Sequence, residues 1–334
     1  MMRAWILERQ SKIEDRPLKL VDIPDPEPRE GQIRIKVRFC GICRTDLHIA
    51  EGDHPLHKKP VILGHQIVGT VDRSRGRRIK EGDRVGLTWL YSSCNSCKYC
   101  LTGRENYCPD IVRTGWDVDG GFAEYVIAEE EYVAPLDIPL KDEDCAPLMC
   151  PGVIAHLCYE LAEVKPGDKI GLIGFGPTAF YLMKIANHIG ADVYVSTRSR
   201  YHQEIAAELS ARWIGNIAEK DFPDKMDSII YFPPAGEMFT RALRNLKRGG
   251  ILVLAPIASQ SPMIVENYGE DLWGKDIRTV YNIRRSTIMK MLNLARKVDF
   301  SIDKEVFDFE ELQDAMIKVR SGKLERMTAI IRVG

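Results

Sequence analysis

The stretch "KPGDKIGLIGFGPTAFYLMKIANHIGADVYVSTRS" constrains the fold more than any other part of this chain. It reads as an apolar strand, a glycine turn, a helix ending at Gly190 and a second strand, which together make a βαβ unit. Within it Gly174, Gly176 and Ala179 form a G-x-G-x-x-A pattern directly after the strand and at the opening of the helix. Glycines there permit a tight turn and let backbone amides approach a pyrophosphate, while a small third residue lets helix and strand pack closely. The pattern therefore predicts dinucleotide binding, against the competing reading of a purely structural turn. Further alternation follows in "MDSIIYFPP", the helical "EMFTRALRNLKRGG" and the strand "ILVLAPI", as expected for a parallel sheet flanked by helices.

The end of the second strand bears on which dinucleotide is bound. A site for NAD normally offers Asp or Glu at this point to hold the adenine-ribose 2'-hydroxyl, whereas "VYVSTRSR" supplies Thr197, Arg198, Ser199 and Arg200. Hydroxyl and guanidinium groups suit a 2'-phosphate, which arginine can bind through two charge-assisted hydrogen bonds. The expectation is NADP(H) in preference to NAD(H), with a solvated basic loop as the alternative.

Ahead of this unit the pattern is different. Up to about residue 150 the chain is strand-like and turn-rich, with β-branched runs in "GQIRIKVRFCGIC", "KPVILGHQIVGTV" and "GGFAEYVIAEEEYVAP" separated by Gly, Pro and Asp. At 334 residues the chain exceeds what one hydrophobic core usually organises, so two domains are expected, the first irregular and mostly β. The net charge of -1 gives no electrostatic footprint for nucleic acid or an anionic membrane surface. No apolar run approaches the ~18 residues of a membrane span and "MMRAWILERQ" lacks a signal-peptide core, so no membrane partner and a cytoplasmic location are expected.

Nine cysteines, an odd number, argue for metal or thiol chemistry more than for a disulfide framework. Cys94, Cys97, Cys100 and Cys108 follow C-x2-C-x2-C-x7-C spacing. Spacers this short let four thiolates wrap one ion at about 2.3 Å and close a tetrahedral zinc site with no open position for substrate. An iron–sulfur cluster could use four thiolates too, but its characteristic spacings differ and only Pro109 after the last cysteine is shared. Taken singly, Cys43, His65 and Cys150 are weak signals, since a lone Cys or His is more often a core residue.

Together these segments match a family. "CGICRTDLH", "GHQIVG", the four-cysteine lobe, "GGFAEY", "LMCPG" and "GFGPTA" occur in the order and approximate spacing of the zinc-dependent medium-chain alcohol dehydrogenases, which the chain resembles over almost its whole length. The resemblance implies an α/β fold: a mostly β, GroES-like catalytic domain over residues 1–151 with a structural zinc lobe at 94–108, a doubly wound Rossmann domain over 152–282, and a return to the catalytic domain over 283–334. It also implies two zinc ions per chain. Cys43, His65 and Cys150 would hold the catalytic one, a Cys2His set established for alcohol dehydrogenases and carried over by resemblance alone; the four-cysteine lobe would hold the other.

Two thiolates and a neutral imidazole leave such a zinc site near zero net charge, yet the ion can still polarise a carbonyl or stabilise an alkoxide as a Lewis acid. By the same resemblance Thr45 passes the alcohol proton through the nicotinamide ribose to His48, Asp46 orients His65, and Arg44 contacts the pyrophosphate. Two departures stand out: Gln66 follows His65 where the family usually has Glu, and Ile154 stands behind the nicotinamide ring where many relatives have threonine. Trp89, Leu90 and Trp116 map near the family's substrate cleft, which implies a narrow apolar pocket for a primary alcohol and its aldehyde; tryptophans of the domain core are the alternative. The expected enzyme is an NADP(H)-preferring alcohol dehydrogenase and aldehyde reductase, a homodimer or homotetramer. A polyol dehydrogenase of the same superfamily and a catalytically silent NADP-binding redox sensor are the competing readings.

Overall fold

Ile33, Ile35 and Val37 alternate along strand β1 (Gln32–Gly41), and all three are buried, the pattern of a strand with one face on a core. The computed structural model describes residues 1–257 and 261–334. They fall into two units, one of Met1–Val153 with Asn282–Gly334 and one of Ile154–Tyr281. In the first unit β1 leads into helix α1 (Arg44–Glu51). It pairs antiparallel with β2 (Gln66–Ser74), which pairs in turn with β3 (Arg84–Leu87), and strand Thr328–Arg332 lies on the other side of β1.

The register of β1 on β2 sets Gly41 opposite Gln66 and Cys40 opposite Ile67. Cys43 follows β1 and His65 precedes β2, so this pairing delivers both to the same end of the sheet. Ile67, Val71, Val85 and Leu87 are buried with the apolar face of β1, and each such side chain contributes about 1.5–3 kcal/mol of apolar burial.

The second unit is the parallel sheet expected from the glycine turn. β4 (Lys169–Ile173) is followed by α2 (Pro177–Ile189), β5 (Asp192–Ser196), α3 (Arg200–Glu208) and β6 (Trp213–Gly215), then β7 (Met226–Tyr231), β8 (Leu246–Leu254) and β9 (Asp276–Thr279). The strands lie in the order β6-β5-β4-β7-β8-β9, every neighbouring pair parallel. Strand order reverses beside β4, at the turn that carries Gly174 and Gly176; open α/β sheets bind ligands at such a switch point. Ile170, Leu172 and Ile173 are fully buried, as a central parallel strand covered on both faces requires.

One feature differs from the sequence expectation. The helical run Asp142–Ala162 is by length and composition apolar enough to cross a membrane, but 67% of its most apolar window is buried inside the fold. Its apolar side chains, among them Leu148, Met149, Val153 and Leu157, are core residues. The run is not one regular helix: a π-helical turn over Leu148–Gly152, with Pro151 inside it, joins helices Asp142–Pro147 and Val153–Ala162. Proline has no N–H to give to the helical ladder, and a widened turn accommodates that loss. Cys150 sits in this turn.

Candidate active site

Cys43, His65 and Cys150 converge, their ligand atoms all within 4.8 Å of one another. Cys43 is the cap residue at the start of α1. Asp46, fully buried in the first turn of that helix, reaches back to accept from Cys43 N at 2.8 Å, and its other oxygen accepts from Gly64 N at 3.2 Å. The same oxygen lies 3.1 Å from Nδ1 of His65, so the imidazole keeps Nε2 for the two thiols. Gly64 has φ +93°, and a Cβ there would lie 2.8 Å from the Phe122 ring and 2.9 Å from Cys40 Sγ, so only glycine fits ahead of His65.

The electrostatics of this trio suit a cation. The hydrogen bond from the Cys150 thiol holds Cys43 well below the ordinary thiol range against the effect of burial, and His65 lowers it further. Cys150 is pushed well above that range by its bond to Cys43 and by burial. Burial alone would lower His65, but Asp46 outweighs it and raises the imidazole to about 10. Cys43 is thus drawn down while Cys150 and His65 are drawn up, three groups competing for protons, and a divalent cation binding there would displace them. Thr45, also buried, has its hydroxyl 3.5 Å from Cys43 Sγ. His48, half-exposed one turn on, pairs through Nδ1 with Asp53 at 2.6 Å, while Arg44 is exposed at the start of the helix.

The four lobe cysteines likewise bring their sulfurs within 4.8 Å of one another. Neighbouring sulfurs stand 3.5 Å (Cys94 to Cys108), 3.6 Å (Cys97 to Cys100) and 3.9 Å (Cys94 to Cys100) apart. A tetrahedron with 2.3 Å arms has edges of about 3.8 Å, so the spacing fits zinc, and it is far too long for disulfides, of about 2.05 Å. The N–H groups of Ser96 and Cys97 help draw Cys94 down to about 6, while burial pushes Cys108 up to about 12. The remaining thiols, Cys40, Cys145 and Cys158, are fully buried and raised chiefly by that burial, the last two to about 12. They behave as small apolar side chains, not as nucleophiles.

In the second unit Gly174 has φ +85° and donates to Ser196 O at 2.9 Å, the tight turn the glycine pattern predicts. Gly176 caps α2, and a Cβ added there would project into open space, where a ligand can approach the backbone. Ala179 is fully buried under the helix. Thr197 is buried after β5, its carbonyl accepting from the Gln203 side chain at 2.9 Å. Arg198, Ser199 and Arg200 follow as an exposed run. Ser199 is occupied as the cap of α3 and Arg200 pairs with Glu204 at 3.1 Å, which leaves Arg198 as the foremost candidate for a phosphate. Ile154, half-buried, opens this unit.

Of the residues expected near the substrate, Trp89 and Trp116 stack with ring centroids 5.8 Å apart, and Trp89 meets His65 edge-on at 5.0 Å. The Trp116 ring also stacks on His57 at 4.1 Å. Leu90, by contrast, is fully buried on a strand facing Arg113 and presents no surface.

The alcohol dehydrogenase GroES-like domain family matches residues 29–138. Over 332 residues the chain is 33% identical to the probable alcohol dehydrogenase AdhA of Mycobacterium tuberculosis, covering 97% of this chain and 95% of that one. The chain belongs to the zinc-type medium-chain alcohol dehydrogenase family. It is an alcohol dehydrogenase, an NAD(P)-dependent oxidoreductase of small alcohols and aldehydes. The fold of this alcohol dehydrogenase is also that of CAD from Helicobacter pylori complexed with NADP(H), with TM-score 0.89, 22% identity and coverage of 99% and 97% of the two chains. A cobalt- and zinc-bound thermostable alcohol dehydrogenase from Pyrobaculum aerophilum has the same fold, with TM-score 0.86, 22% identity and 99% of each chain covered.

Gln66, where the family usually has an acid, is buried in this alcohol dehydrogenase, and its Oε1 has no hydrogen-bond partner among the described residues. It packs over Gly41, where a Cβ would stand 2.3 Å from Oε1. Two neighbours of the site were not singled out from the sequence. Asp53 is brought back to His48 by the turn that closes α1 at Gly52, a signal readable in "HIAEGD". Asn282, which accepts from the Trp89 indole, lies 193 residues away and carries no local signal.

Proposed function

We propose that this alcohol dehydrogenase is a two-zinc, NADP(H)-preferring enzyme that interconverts primary alcohols and aldehydes and works also as an aldehyde reductase. The observation that carries the reading is the convergence of Cys43, Cys150 and an Asp46-held His65. Bound there, zinc would supply Lewis-acid polarisation of the substrate oxygen, and the nicotinamide would exchange the hydride. The chain's own residues do the rest. Asp46 fixes the tautomer of His65 and the cap geometry of Cys43. Thr45, beside Cys43, would relay the alcohol proton, releasing its own hydroxyl proton toward the nicotinamide ribose as it takes the substrate's, and His48, paired to Asp53 and half-exposed, would be the group from which the proton leaves. Trp89 and Trp116 wall the substrate with apolar surface.

For the cofactor, Thr197 replaces the acid that would repel a 2'-phosphate, and Arg198 stands exposed beside it. The H. pylori structure carries NADP(H) on the same fold, which supports this choice. We assign a homodimer or homotetramer, supported by edge strand β9 and the exposed Ile277, Trp273 and Tyr281 near it. A steady-state panel of alcohols, sugar alcohols and aldehydes with both cofactors tests the reading. Simple aldehydes with NADPH should be turned over best; a preference for sugar alcohols, or no turnover of any carbonyl by metal-loaded protein, would contradict it.

A further inference from the structure

The edge of the Trp89 indole ends on one side chain. Trp89 Nε1 donates to Oδ1 of Asn282 at 3.0 Å, and Nδ2 of Asn282 donates to the carbonyl of Asn106 at 3.1 Å. An indole N–H can only donate and a carbonyl can only accept, so the side chain between them must accept on one side and donate on the other, as the Asn282 amide does from two separate atoms in one plane. The backbone adds a second requirement. Asn282 has φ +53°, a conformation that asparagine and glycine enter far more readily than other residues.

Asn106 belongs to the four-cysteine lobe, and the lobe grips the same segment again three residues on. The Glu105 carboxylate, nearly fully buried, accepts from Arg285 N at 2.7 Å, and the Arg285 guanidinium reaches Asn95 Oδ1 at 3.3 Å. Asn282 is therefore held from the lobe and itself holds Trp89, whose ring lies edge-on to His65 with 76° between the planes and is stacked on Trp116. Turning the indole in its slot would break its bond to Asn282 and its packing on both rings together.

We propose that Asn282 is a specificity-determining residue that fixes the plane of Trp89, and that through it the cysteine lobe sets the shape of the substrate wall as well as bracing the fold. The proposal rests on the reading of Trp89 as part of that wall. A substrate whose ring packs on the indole feels the loss of this anchor, whereas a two-carbon aldehyde, which covers little of the indole, feels it less.

The test uses metal-loaded protein carrying Asn282→Gly, which keeps the backbone conformation and removes both bonds. The ratio of kcat/KM for benzaldehyde to that for acetaldehyde should fall roughly three- to tenfold, the discrimination one neutral hydrogen bond supplies. Without cofactor, tryptophan emission should shift in Asn282→Gly, and the shift should vanish in a Trp89→Phe background. An equal fall for both aldehydes, or an emission shift that persists without Trp89, overturns the proposal. Trp89→Phe separates the two levels: if it changes the substrate ratio while Asn282→Gly does not, the assignment of Asn282 fails and the wall stands. If Trp89→Phe leaves the ratio at the parent value, the wall itself is lost, and the role of Asn282 with it.

Discussion

In the proposed NADP(H) site, Arg198 is the side chain on which the choice of cofactor would turn. It is exposed directly after buried Thr197, whereas its neighbours Ser199 and Arg200 are engaged by α3. One charge-assisted hydrogen bond contributes about 1.5–3 kcal/mol, so Arg198→Ala should weaken NADPH roughly tenfold or more and leave NADH nearly unchanged. Cofactor KM values measured side by side read this, and a cofactor ratio that does not move would contradict the assignment. Asp46 works at the same scale, through geometry instead of charge recognition. Its three acceptor contacts, to Cys43 N, Gly64 N and His65 Nδ1, leave the other imidazole nitrogen to the thiols. The motif "CGICRTDLH" implies that role by family resemblance; the opposite shifts of the two thiols, Cys43 down and Cys150 up, arise only from the three-dimensional arrangement.

Elements show what local spacing can and cannot convey. The βαβ unit and the cysteine lobe were legible because each is written in one short stretch, where strand period, glycine placement and C-x2-C spacing act between near neighbours. The π-helical turn of Cys150 was not, since proline ordinarily ends or kinks a helix and nothing in the local spacing marks a widened turn around Pro151. Loops hold further examples. Glu130 accepts from the N–H groups of Arg77 at 3.0 Å and of Arg78 and Ile79 at 2.6 Å, all in the turn between β2 and β3. Burial opposes its ionisation, but those donors prevail and hold the carboxyl below the ordinary glutamate value. A depressed carboxyl contributes stability in full above its unfolded value and loses it as pH falls through the folded one. Glu130→Gln should therefore cost about 1.5 kcal/mol or more near pH 7 and progressively less in acid, with the gap narrowing as pH falls below the glutamate range. Unfolding curves at several pH values read this, and a gap of constant size would contradict it. The lobe makes a separate prediction. A structural metal site contributes folding free energy, so Cys94→Ser should lower Tm more than it alters kcat of the protein that remains folded. Loss of turnover at an unchanged Tm would contradict a bracing role.

On the scale of the whole molecule, one unit carries every proposed metal ligand and the other carries the dinucleotide turn. A change of pattern lies near residue 150, since a turn-rich β region and an alternating βαβ region bury their apolar residues with different periods. Long-range closure was the illegible part. Asn282 reaches Trp89 across 193 residues, and no local period can announce such a contact. The central claim is that Cys43, His65 and Cys150 hold a catalytic zinc separate from the lobe. Elemental analysis of zinc per chain, paired with kcat, in the parent and in Cys43→Ser tests it most directly. The account predicts two zinc ions in the active parent, and one zinc, lost turnover and a near-parent Tm in Cys43→Ser. A fully active parent with a single zinc, or a Cys43→Ser variant that keeps both ions and its turnover, would contradict it.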